Sequence, residues 1–77
     1  MKLPGQVSAR NLLALNVKEL RIKMNMSQEK MAELAGFHRT YLSQIERCVV
    51  NVSVDNVEKI ANQLGVPVAR LFQPVNA

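Results

Sequence analysis

Within the segment HRTYLSQIER, Arg39, Thr40, Ser43, Gln44 and Arg47 follow one another at steps of one and three residues. At about 100° per residue on a helix, these five side chains fall within an arc of roughly 140°, and Tyr41, Leu42 and Ile45 take the opposite side. The polar face is rich in N–H and O–H donors and carries no carboxylate, with Glu46 at its margin. Such a surface suits a polyanion. An arginine at this place can bond guanine O6 and N7 together or hold a phosphate. Gln44 can read adenine or brace Gln28 on the preceding helix, and Thr40 can touch a thymine methyl or face water. His38 can meet a phosphate or base, or serve as a neutral cap at the helix start.

The remaining polar residues do not assemble a catalytic set. Serines, a single histidine and scattered acids are present, yet no nucleophile, base and orienting group share a readable spacing, and no glycine-rich phosphate loop occurs. The expectation is a protein that is not an enzyme and needs no metal or cofactor. Cys48 is the one cysteine, so an internal disulfide is excluded and the reducing cytoplasm is the expected compartment. The run LLALNVKEL is too short to span a bilayer, and no signal-peptide pattern opens the chain, so no membrane role is expected.

Bulk properties agree with an anionic partner without demanding one. The 77 residues carry ten Lys or Arg against six Asp or Glu, a net charge of +4, and the isoelectric point is near 9.7. A chain this long supports one hydrophobic core. Its apolar residues are mostly Leu, Val, Ile, Ala and Met, which suit helix packing.

The elements that must position the polar face follow from periodicity and punctuation. Residues 1–7, with Pro4 and Gly5, read as a flexible arm ahead of a single domain over 8–77. From Ser8 onward, Leu13, Val17, Leu20 and Met24 form the apolar face of a first helix. Ser27 caps a second helix that runs to about Ala35 and ends at Gly36, where a positive φ costs glycine nothing. His38 opens a third helix after a bend of three or four residues, a spacing that fits a helix-turn-helix. Cys48 to Val52 is a loop, and Ser53 caps a fourth helix with Val54, Val57, Ile60, Ala61 and Leu64 as its apolar stripe. Gly65 ends that helix, and Pro67 admits a short fifth one over residues 68–72. The expected fold is therefore all-α, a compact bundle of about five helices. Met24, Met26 and Met31 are expected in the core rather than on a soft binding surface.

The stretch from Leu20 to Phe72 contains SQEKMAELAG, a three-residue turn, a helix ending in IER, and NVSVDNVEKIANQLGVP. It resembles the Cro/C1-type (XRE-like) helix-turn-helix family, with its lambda-repressor-like fold, and within it most closely the controller proteins of restriction–modification systems. The resemblance implies base-reading side chains at His38, Arg39, Thr40 and Gln44, with Ser27, Gln28, Ser43 and Arg47 nearer to phosphates. It implies an ion pair between Arg21 and Glu46, which a bidentate guanidinium would orient and neutralise. It also implies a transcriptional regulator that binds double-stranded operator DNA as a homodimer, with contact to RNA polymerase as one route of regulation. The apolar C-terminal patch of Val68, Leu71, Phe72 and Val75 could close the core or pair with a second copy, and the family favours the dimer. A phage repressor or Cro-like regulator, and an antitoxin or protein-interaction adaptor, share the same fold. Where relatives usually carry Gly, this chain has Cys48. A positive φ there would be strained, so a different end to the third helix is expected.

Overall fold

In the computed structural model, which describes residues 7–75, four α-helices are followed by one turn of 3₁₀ helix: α1 (Ala9–Lys23), α2 (Gln28–Ala35), α3 (Arg39–Glu46), α4 (Val54–Leu64) and the 3₁₀ segment Val68–Phe72. No strand occurs among the described residues. Apart from Val7, the expected N-terminal arm lies outside them. The helix starts come from side-chain acceptors. Ser8, Ser27 and Ser53 each accept from the amide three residues on, and His38 accepts from Thr40.

The helix ends share one device. Asn25, Gly36, Cys48 and Gly65 stand at φ of 56°, 76°, 63° and 69°. Each is followed by an apolar residue whose amide reaches back to a carbonyl five positions earlier: Met26 to Arg21, Phe37 to Ala32, Val49 to Gln44 and Val66 to Ala61. These are Schellman turns, which satisfy carbonyls that the helix leaves open. Cys48 thus does not end α3 differently from the glycines that end α2 and α4. It takes the left-handed conformation itself, because the two return bonds to Ile45 and Gln44 hold the backbone there.

The core joins Leu13 and Val17 of α1, Met31 and Ala32 of α2, Leu42 and Ile45 of α3, Val57, Ile60, Ala61 and Leu64 of α4, and Leu71. Leu20 is half-buried against its edge, and two further residues expected in the apolar stripes lie outside it. Met24 caps the end of α1 and is half exposed, and Val54, the first residue of α4, is 77% exposed. Both stand at helix ends, where the stripe has run past its partner.

The fifth helix is a short 3₁₀ segment, and a buried asparagine holds its end. Asn16 is 1% exposed on the inner face of α1. Its Nδ2 lies 2.9 Å from Leu12 O, 3.0 Å from Leu71 O and 2.9 Å from Gln73 O, while Oδ1 accepts from Arg70 Nη1 at 2.8 Å. The segment itself is a tight turn closed by Arg70 N–H to Pro67 O, and the Asn16 bonds fasten its C-terminal end to α1. Leu71 is fully buried among the core residues. Its side chain packs the domain's own core and offers no surface to a second copy.

Candidate nucleic-acid interface

The turn between α2 and α3 sets the geometry of the site. Gly36 turns the chain, Phe37 packs against the core, and its ring meets Tyr41 edge-on with centroids 5.1 Å apart. Leu42 and Ile45 are buried, and the Tyr41 hydroxyl accepts from Asn56 Nδ2 at 3.0 Å, tying α3 to the start of α4. With that side of α3 committed to packing, its other side is left to solvent.

On the open side His38, Arg39, Thr40 and Arg47 are exposed, and Ser43 and Gln44 are half-buried. Arg39, Thr40 and Ser43 line a shallow depression of about 150 Å³. Neither Arg39 nor Arg47 has a carboxylate partner among the described residues. Their charge is therefore available to an external anion. Ser27, at the start of α2, is exposed, and its Oγ accepts from the Lys30 amide at 3.0 Å, so its O–H proton remains available for an outward bond.

Glu46 would oppose an anion here, but it is held back. Arg21 Nε donates to Oε2 at 2.7 Å and Nη2 to Oε1 at 2.9 Å, while Nη1 donates to the Met26 carbonyl at 2.7 Å. Gln28 Nε2 donates to the same Oε1 at 3.0 Å. The side chains are 11% exposed for Arg21 and 3% for Glu46. The hydrogen bond to Glu46 raises the Arg21 pKa above its ordinary value, against a smaller opposing effect of burial. The carboxylate is thus neutralised and its oxygens are turned inward, away from the polar face.

This network places Gln28 beside Glu46, so the brace between Gln28 and Gln44 is not formed. Gln28 keeps one amide hydrogen and its carbonyl for a contact from outside. Three residues that hold the elements in place carry roles that spacing alone does not reveal. Asn16 and Asn56 each fix an element, and the polar Asn16 inside LLALNVKEL, next to a core valine, was the readable signal. Helical angles put Tyr41 on the packing side, and its hydroxyl in addition reaches Asn56 of α4. Below α3, Cys48 Sγ donates to Asn11 Oδ1 at 2.8 Å, and Arg10 pairs with Asn51.

No group of three or more metal-ligating side chains occurs among the described residues, and no helix is long and apolar enough to cross a membrane. A family model described as helix-turn-helix matches residues 17–71. The control protein C.BamHI of Bacillus amyloliquefaciens is 53% identical over 58 residues, which cover 74% of this chain and 72% of that protein. The restriction-modification controller protein C.AhdI from Aeromonas hydrophila superposes with a TM-score of 0.79 at 35% identity, over 82% of this chain and 96% of that one. The controller protein C.Esp1396I, solved as a tetramer with its natural 35 base-pair operator, superposes with a TM-score of 0.77 at 28% identity, over 87% of this chain and 88% of that one.

Proposed function

Since the chain belongs to the helix-turn-helix family, we propose that it is a sequence-specific DNA-binding transcriptional regulator and the controller of a restriction–modification operon. The observation that carries the reading is the α3 face. Arg39, Thr40, Ser43 and Gln44 stand together on a helix whose opposite side is locked into the core, with the nearest carboxylate sequestered by Arg21.

In this reading α3 lies in the major groove. Arg39 bonds guanine O6 and N7, Gln44 meets adenine, and Thr40 contacts a thymine methyl. Ser27, Gln28, Ser43 and Arg47 hold the flanking phosphates and fix the register. The Arg21–Glu46 pair does not touch DNA. Its work is to keep α3 at a set angle to α1.

One α3 helix reads only a few base pairs, so a two-fold dimer on an inverted repeat, with half-sites about 34 Å apart, supplies the specificity. Val68, Phe72 and Val75 remain half-buried at the surface, and Phe72 borders an apolar groove shared with Val52, Val54 and Val57. This patch, without Leu71, forms the self-association face. Regulation proceeds in the cytoplasm, by occupying promoter DNA or by contact with RNA polymerase. Selection of bound duplexes from a random pool tests the reading. It requires an inverted repeat to emerge, and recovery of unrelated sequences would refute it.

A further inference from the structure

Of the residues that end the helices in the left-handed conformation, Gly36 and Gly65 do so without a Cβ, and asparagine, as at Asn25, tolerates it. Cys48, just past the helix that carries the polar face, is of neither kind. Glycine would suit the backbone there but would bring no side chain. The thiol is engaged: Cys48 Sγ donates to Asn11 Oδ1 at 2.8 Å. Three residues further on, Asn51 Oδ1 accepts from Arg10 Nη2. Two neighbouring residues in the first turn of α1 thus hold the loop between α3 and α4 at two points. That turn is itself fixed, since Ser8 Oγ accepts from the Asn11 main-chain N–H at 3.1 Å.

The far end of α3 is therefore gripped twice by α1. Arg21 holds Glu46, the last residue of α3, and Asn11 holds Cys48 beyond it; the two gripping residues stand about 15 Å apart along α1. The Arg21 pair sets the angle of the helix itself. The hold at Cys48, with that at Asn51, fixes the course of the chain leaving the helix, next to Arg47. These two holds differ from the first in exposure. Arg21 and Glu46 are buried, whereas Arg10 and Asn11 are exposed, where water replaces a lost hydrogen bond and little folding stability depends on it. Their effect falls on where the loop lies rather than on whether the chain folds.

We propose that Arg10 and Asn11 are positioning residues for DNA reading: they fasten the α3–α4 loop through Asn51 and Cys48, so that Arg47 and the end of α3 meet the duplex already ordered. The inference rests on the DNA-reading role of α3 proposed above. Neither residue touches DNA in this account. A loop ordered before docking loses less conformational freedom on binding, and the difference appears as affinity. Cys48 gives up stability that glycine would supply and gains a side chain that can be held.

Cys48→Gly separates this role from a merely structural one, because the two predict opposite signs. The variant relieves the strain and removes the thiol. It is expected to unfold at no lower urea concentration than wild type and yet to bind the selected operator about 3- to 10-fold more weakly, the effect of a loop that must be ordered on docking. Asn11→Ala should weaken binding by a similar factor, and combining it with Cys48→Gly should add little, because both remove one contact. Arg10→Met keeps the apolar stem and removes the donors and the charge. It is expected to lower operator affinity by the same order without changing the slope of log affinity against log salt. Amide hydrogen exchange needs no DNA: the Cys48 and Val49 amides, bonded to Ile45 and Gln44, should exchange faster in Asn11→Ala while that of Leu42, within α3, is unchanged. Wild-type operator affinity in Asn11→Ala and Cys48→Gly, fully additive losses, or a salt slope that falls by about 0.9 in Arg10→Met, the mark of a direct phosphate contact, overturns the proposal. If wild type prefers no duplex, the reading role of α3 fails and this inference with it. If wild type prefers the operator and the variants match it, this inference alone fails.

Discussion

Arg21 grips both carboxylate oxygens of Glu46 while its third nitrogen holds the Met26 carbonyl, so one side chain binds α1 to the end of α3 and to the start of the α2 approach. The pair does two jobs at once. It removes a negative charge from the edge of a face meant for an anion, and it fixes the angle at which that face is presented.

Breaking the pair from one side leaves the other charge buried. Arg21→Ala strands Glu46, which is 3% exposed at its side chain, and is expected to cost about 3–5 kcal/mol of stability by urea denaturation. Arg21→Lys recovers only part of this, because an ammonium cannot bond both oxygens in a plane. The pH dependence has a definite sign. The Arg21 pKa is raised in the folded state, so its contribution is complete below the ordinary guanidinium value and is lost only as pH rises beyond it. Mild alkali should leave this contribution intact, and a difference between wild type and Arg21→Ala that shrinks under mild alkali would count against it.

Cys48 holds a left-handed conformation at φ 63° in the place where α2 and α4 use glycine. Cys48→Gly is expected to raise stability by about 1 kcal/mol. Cys48→Ala keeps the strain and loses the bond from Sγ to Asn11, so it should be no more stable than wild type. Denaturant midpoints of the two variants check the order, and equal effects would show that strain is not the cause.

Asn16 secures the 3₁₀ segment through Leu71 O, Gln73 O and Arg70. Asn16→Leu should fit the site in size but leave these polar groups without partners, at a cost of about 2 kcal/mol or more. Limited proteolysis should then cut near the C-terminus before the rest of the domain. Uniform cleavage would mean that the segment is held by its apolar contacts alone.

Val54 is 77% exposed beside the apolar groove that Phe72 borders. Val54→Lys is expected to change stability by no more than about 0.5 kcal/mol and to shift the protein toward monomer in sedimentation. An unchanged sedimentation coefficient would place the self-association face elsewhere.

The sequence was most informative where spacing and chemistry coincide. The 3.6-residue rhythm and the serine and glycine punctuation located all four α-helices, and helical angles alone separated Arg39, Thr40, Ser43 and Gln44 from Leu42 and Ile45. It was least informative where one residue's role depends on a distant partner. Leu71 packs in the core while Asn16, 55 positions earlier, holds its carbonyl, and Gln28 donates to Glu46, the carboxylate that Arg21 also holds, rather than to Gln44. Cys48 departs from expectation for a different physical reason. A local propensity of about 1 kcal/mol is outweighed when two return hydrogen bonds and the packed ends of α3 set the backbone.

The central claim is that the polar side of α3 reads DNA sequence, and the most direct measurement is the affinity of wild type and Arg39→Ala for the selected operator and a scrambled duplex at several salt concentrations. The account predicts that wild type prefers the operator and that Arg39→Ala loses about 1–3 kcal/mol on it while its weak binding to scrambled DNA changes far less. Equal losses on both duplexes, or wild-type binding that never distinguishes them and fades alike with salt, would contradict it.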